Sequence, residues 1–155
     1  MVINTAFVSS ITALVAVIVS PIVTVYVSKK QIKSSVVSIN RQQWINRLRD
    51  EIARFVQEVK HVPSAYAADA INFEQATSKH GEIVLKEEIV KLMLNPNEAE
   101  HQELIKLMSA ASNKALNAIN TKRGLSKVLD EATVLIIAKA QNILKTEWER
   151  VKRGD

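Results

Sequence analysis

The first charged residue of the chain is Lys29. Before it, the 22 residues from Ala6 to Val27, AFVSSITALVAVIVSPIVTVYV, mix branched aliphatics with small and hydroxyl residues and show no polar stripe. Such a run predicts a helix that is apolar all round and about 33 Å long, a match to a hydrocarbon core of about 30 Å. A buried helix of that length in a soluble protein would carry a polar face. A cleaved signal peptide would carry a basic leader and an A-x-A-like site. Residues 1–28 are therefore expected to be a single transmembrane helix. Within it Ala13, Ala16, Ser20 and Thr24 recur at spacings of three and four, a small-residue stripe that allows close helix contacts. Pro21 removes one helical hydrogen bond, with a kink expected near Val17. Tyr26, Lys29, Lys30 and Lys33 lie where interfacial anchors belong.

Past the span the periodicity changes. Ile45, Leu48, Ile52, Phe55, Val59 and Val62 are spaced 3, 4, 3, 4 and 3, a heptad seam on a helix running from 29 to about 61. On its other face Arg47 and Glu51, Asp50 and Arg54, and Arg54 and Glu58 are spaced for i,i+4 pairing. Trp44 borders the seam and is read as a packing anchor. A second helix over 64–94 is expected to break near Gly81, because the stripe Tyr66, Ala70, Phe73 and the stripe Leu85, Ile89, Leu92 are out of phase. Asn95 to Asn97 predict a tight turn, with Asn97 as N-cap and Glu100 completing a capping box. A third helix over 98–119 buries Leu104, Met108, Ala111, Ala115 and Ile119, and Gly124 lies in the next turn. A fourth, over 125–152, buries Val128, Leu129, Ala132, Leu135, Ile136, Ile143 and Leu144. The fold class is all-α: one N-terminal span continuing into an antiparallel bundle of about four helices over residues 29–155.

Composition agrees with helix and removes several chemistries. The 155 residues include no cysteine, so neither disulfides nor thiolate metal sites exist. The net charge of +5 lies entirely in residues 29–60, where eight Lys/Arg face three Asp/Glu; residues 61–155 carry 13 of each sign. Lysines that follow the span hold the C-terminal part in the cytoplasm and the N-terminus outside, by the positive-inside rule. Several arginines of RQQWINRLRDEIARF, residues 41–55, have acidic neighbours on the same helix, unlike a helix that keeps its cations for phosphates. No specific nucleic-acid partner is expected.

Three stretches, RQQWINRLRDEIARF (41–55), LMLNPNEAEHQELI (92–105) and ILKTEWERVKRG (143–154), resemble a family of small bacterial membrane proteins with an N-terminal span and a helical cytoplasmic part. The resemblance implies the bacterial inner membrane and no activity. It singles out Arg41, Trp44, Asn46, Leu48, Arg49, Asn95, Pro96, Asn97, His101 and Trp148. Physically most of these read as structural. Trp44 and Trp148 would close the bundle, Asn46 would be a buried polar residue fixing register, and His101 would face water or bond the turn.

No catalytic constellation occurs. His61, His80 and His101 have no metal spacing, and Glu98 with His101 forms one Glu-x-x-His where a di-iron bundle needs two. There is no phosphate loop and no nucleophile elbow. Catalytic, cofactor and metal residues are all expected to be none. Two functions remain. One is a membrane-anchored module that self-associates through residues 13–39, leaving the distal bundles less intimately associated, or holds a cytosolic partner. The other is a membrane-active effector whose spans form a pore or disrupt the bilayer.

Overall fold

In the computed structural model the chain forms helices in the order α1 (Thr5–Ala67), α2 (Phe73–Met93), α3 (Ala99–Thr121) and α4 (Ser126–Arg153), with no strand among the described residues. Residues 5–123 and 126–153 are described, without the side chains at 5–16, 18, 33 and 34. The turn expected at Gly124 lies outside them.

The heptad seam of α1 is the spine of the bundle. Ile45, Leu48, Ile52, Phe55, Val59 and Val62 are all buried, and they pack on α2, α4 and, across the centre, α3. The seam of α3 meets them with Leu104, Met108, Ala111, Ala115 and Ile119, and α4 adds Leu129, Ala132, Ile136, Ala140 and Ile143. Small alanines on α3 and α4 let these helices approach the larger side chains of α1.

The connections differ from the sequence expectation. Helix α1 does not stop before Pro63. It runs through the buried Pro63 to Ala67, and burial of Val62 and Pro63 offsets a cost of about 3 kcal/mol for proline inside a helix. Asp69 then takes a left-handed conformation, φ 57°. Ala70 N donates to Ala65 O and Asp69 N to Tyr66 O, a Schellman closure. Lys122 ends α3 the same way at φ 49°, with Arg123 N donating to Ala118 O. The two left-handed residues then pair, Lys122 Nζ to Asp69 Oδ1 at 2.5 Å. The hydrogen bond and charge of Asp69 hold the Lys122 ammonium above its ordinary pKa.

Helix α2 therefore starts nine residues later than its predicted residue 64, at Phe73. Asn72 caps it: Asn72 Oδ1 accepts from Gln75 N, and Asn72 N donates to Gln75 Oε1. No break occurs at Gly81. Tyr66 belongs to α1 and Ala70 to the turn, so the two stripes whose phases disagreed were never on one helix. The buried line of α2 is Ala76, Ile83 and Val90, while Leu85 and Leu92 face outward, 59% and 86% exposed. On α4, Val128 and Leu135 are likewise exposed, and Leu144 is half-buried.

Before Arg41, α1 extends beyond the buried core, and the end of α4 (Val151, Lys152, Arg153) lines an open cleft with residues of α1 between Tyr26 and Ile39. Between Val17 and Asn40 no described side chain is buried, and Val17, Ile22, Tyr26, Ile32 and Ile39 are each more than half exposed. No helix among the described residues is long and apolar enough to cross a membrane. Half of the predicted span, Ala6 to Ala16, lies among the residues whose side chains are not described.

Candidate functional site

Where α1 leaves the bundle, the apolar core gives way to a layer of charge. Counting back along the α1 seam from Leu48 and Ile45, the next core position is Arg41. On α3, the position before Leu104 is His101. On α4, the position after Ile136, Ala140 and Ile143 is Glu147. His101 and Glu147 are buried, and Arg41 is half-buried.

These three meet the turn between α2 and α3. Asn95 organises that turn: its Oδ1 accepts from Asn97 N at 3.0 Å, and its side-chain amide donates to Glu98 Oε1 at 3.1 Å. Asn95 N donates to His101 Nδ1 at 3.0 Å. That bond fixes the tautomer of a neutral His101, because an acceptor Nδ1 leaves the proton on Nε2. Nε2 then lies 3.6 Å from Glu98 Oε2. Glu147 lies between two guanidinium groups, with Arg41 Nε 3.5 Å from Oε2 and Arg150 Nη1 donating to Oε1 at 2.5 Å. Arg150 Nη1 also reaches Glu98 Oε1 at 3.5 Å. Trp44 covers the layer, with its indole N–H donating to Met93 O at 3.0 Å. A chain of polar contacts thus runs through α1, the α2 end, the turn, the α3 start and α4.

Burial pushes the Glu98 carboxyl up. The Asn95 hydrogen bond, the neighbouring His101 ring and the Arg150 guanidinium outweigh it, leaving Glu98 below its ordinary pKa. Two carboxylates against two guanidiniums make the layer neutral overall. The ligating atoms of Glu98, His101 and Glu147 come within 4.8 Å of one another, close enough for a cation. A cation would have to displace Arg150 from both carboxylates and strip the Nε2 proton of His101. The arrangement is built as a clasp, and no group in it is poised as a nucleophile beside a base.

The other singled-out residues fall elsewhere. Leu48 is fully buried. Asn46 is not a buried register residue: it is exposed, and its Oδ1 accepts from Arg49 of the same helix. Pro96 is exposed, its carbonyl accepting from Gln102. Asn97 does not cap α3; Glu98 holds that position without a side-chain cap bond. Trp148 does not close the bundle but sits on its surface, 39% exposed, with Lys152 Nζ 5.8 Å from its ring centre. None of the three i,i+4 pairs expected on α1 closes among the described residues; Glu58 reaches Lys86 of α2 at 3.0 Å instead. Tyr26, Lys29 and Lys30 are exposed. The Thr24 hydroxyl donates to Ser20 O at 2.8 Å, within its own helix. The side chains of Ala13, Ala16 and Lys33 lie outside the described residues.

Sequence reading missed Glu147 and Arg150, and it weighed Glu98 only as half of a metal motif. Two signals were present. Glu147 continues a heptad seam as a charge in a core position, and Arg41 has no acidic residue one turn away on its own helix. Each calls for a partner from another helix. No protein-family model, curated protein or solved structure matches the chain.

Proposed function

We propose that the protein is a non-catalytic, membrane-anchored helical module at the bacterial inner membrane, whose bundle is displayed in the cytoplasm for self-association or for holding a protein partner. The observation that carries this reading is the exposed half of α1. Val17, Val19, Ile22, Val23, Val25, Tyr26 and Val27 lie on all sides of one helix, and each is about half exposed or more. A single neighbouring helix would cover only one face. An apolar medium covers all faces, and each such side chain gains about 1.5–3 kcal/mol on leaving water.

Lys29, Lys30 and Lys33 follow at once, where they hold the bundle on the cytoplasmic side. The clasp gives this geometry a mechanical sense. It binds α1 to the other helices at the height where α1 leaves them, so the bundle is displayed at a fixed distance: Arg41 is 14 residues past Val27, about 21 Å along a helix. Flotation of membranes after alkaline washing tests the anchor. The full chain should float with the lipid, and in intact cells a C-terminal tag should resist external protease. Release by alkali, or cleavage from outside, refutes the reading. The effector alternative predicts rapid loss of membrane potential on induction, which the anchor does not.

A further inference from the structure

Two apolar features of the bundle surface are left open to solvent among the described residues. One is the outward stripe of α2, where Leu85 and Leu92 lie seven residues apart on one face with Glu88 beside them. The other is a groove of about 350 Å³ between α1 and α4. Its apolar floor includes Ile52, Ala53, Ile137 and Leu144, and Arg49 stands at its rim. Leu144 is half-buried and Ile137 exposed. We propose that the groove of one copy receives the α2 stripe of the next, so that bundles associate head-to-tail.

Height along the bundle supports this occupant. The Trp44 bond to Met93 sets the register of α2 on α1, and the Arg41 contact with Glu147 sets that of α4. Both helices run antiparallel to α1. At 1.5 Å per residue, Leu92 and Leu85 lie about 6 and 16 Å beyond Arg41, and Leu144 and Ile137 lie about 5 and 15 Å beyond it. Glu88 and Arg49 both come to about 12 Å. Copies anchored in one membrane share a common height, so the two leucines of one chain face the two apolar groove residues of the next, and Glu88 faces Arg49. Carboxylate and guanidinium are complementary across this contact, where Arg49 takes the place of the exposed Lys91 that Glu88 meets at 3.4 Å within α2, whereas α2 against α2 would bring Glu88 against Glu88. Stripe and groove lie on different helices, so the contact is heterologous and each copy offers both halves. The matching of heights rests on the anchored reading; the apolar and charge complementarity does not. Contrary to the sequence expectation, the bundles are then directly associated.

The chain has no cysteine, which makes the test direct. Full-length Glu88→Cys and Gln141→Cys chains with different tags are co-expressed, and membranes are treated with a short bifunctional thiol reagent. A crosslinked pair carrying both tags is expected, and it should disappear when Leu85→Gln and Leu92→Gln are added to the Glu88→Cys chain. These leucines are exposed, so melting of the variant should match the parent and show that lost crosslinking is not lost folding. No mixed crosslink overturns the proposal, as does a Glu88→Cys chain that links to itself instead, or mixed crosslinking that survives the leucine changes. A Ser28→Cys chain and flotation run in parallel separate the two readings. Flotation with no mixed crosslink removes only the head-to-tail contact. A mixed crosslink from protein that does not float removes the anchor and leaves the contact.

Discussion

Replacing Glu147 by glutamine tests whether the charged layer holds the bundle together. Glutamine keeps the size of the side chain and one acceptor oxygen, so the change removes a charge and little volume. Arg41 and Arg150 then face each other across a neutral amide. Removing one partner of a fully buried ion pair costs about 3–5 kcal/mol, because the remaining charge is left in a poor solvent. Here the Glu147 side chain is 8% exposed, but those of Arg41 and Arg150 are 27% and 35% exposed and can turn partly to water. The cost is therefore expected to fall to about 2–3 kcal/mol. For a bundle of this size, about 3–5 °C of melting temperature per kcal/mol gives a drop of roughly 6–15 °C. Thermal unfolding of the full chain in mild detergent, followed at a helical circular-dichroism band, reads this. Glu149→Gln is the control: Glu149 lies two residues on and pairs with exposed Lys152, so it should cost less than about 0.5 kcal/mol. A double cycle with Arg41→Gln should show coupling of about 1–2 kcal/mol. Equal melting of Glu147→Gln and the parent would refute the clasp as a stabilising element.

Trp44→Ala and Leu48→Ala should each lower stability by about 2–5 kcal/mol in denaturant unfolding, the first also freeing the Met93 carbonyl; two parental midpoints would exclude both from the core. Gly81→Ala should stabilise the protein by about 0.5–1 kcal/mol, since a Cβ there meets nothing within 4 Å inside a continuous helix; destabilisation would restore the break in α2. Glu98 titrates below its ordinary value, so it adds stability above the unfolded carboxylate pKa of about 4.3 and loses it as pH falls through the lower folded value. The denaturation midpoint of the parent should fall more steeply than that of Glu98→Gln between about pH 5 and pH 3, and parallel slopes would remove Glu98 from the clasp.

The parts of the fold that were legible from sequence are those governed by burial periodicity. The seams of α1 and α3 recur at spacings of three and four along each helix, and the structure buries both, with Val56, Ile105 and Leu107 packed half-buried at their edges. The pattern misled wherever apolar residues were more numerous than core positions. On α2, Leu85, Ile89 and Leu92 together outweigh the buried line of Ala76, Ile83 and Val90, so the outer stripe dominates the pattern. Only packing against α1 and α3 decides that the thinner line is buried. The turn at 68–72 escaped for a different reason. It contains no glycine or proline, and Asp69 supplies the left-handed residue that glycine usually provides. Pro63, which looked like the stop, is carried inside α1.

The site was legible only as fragments, and the reason lies in how helical sequences encode charge. A local reading pairs each charged residue with neighbours one turn away, which made Arg47, Asp50 and Arg54 appear to form a ladder. Exposed pairs of that kind are worth at most a few tenths of a kcal/mol, too little to fix the side chains against solvent, and they do not close. The charges that are held pair between helices, as Glu58 does with Lys86, and in the clasp Arg41 and Glu147 sit at seam positions beside His101, where burial penalises any unpaired group. Their partners come from 106 residues away along the chain in the case of Arg41 and Glu147. A charged residue that continues an apolar seam is therefore stronger evidence for a tertiary partner than one with an opposite charge nearby. By that criterion the three stretches that carry the resemblance share a physical reason for their charged residues: each supplies at least one member of the layer that closes the core at Arg41.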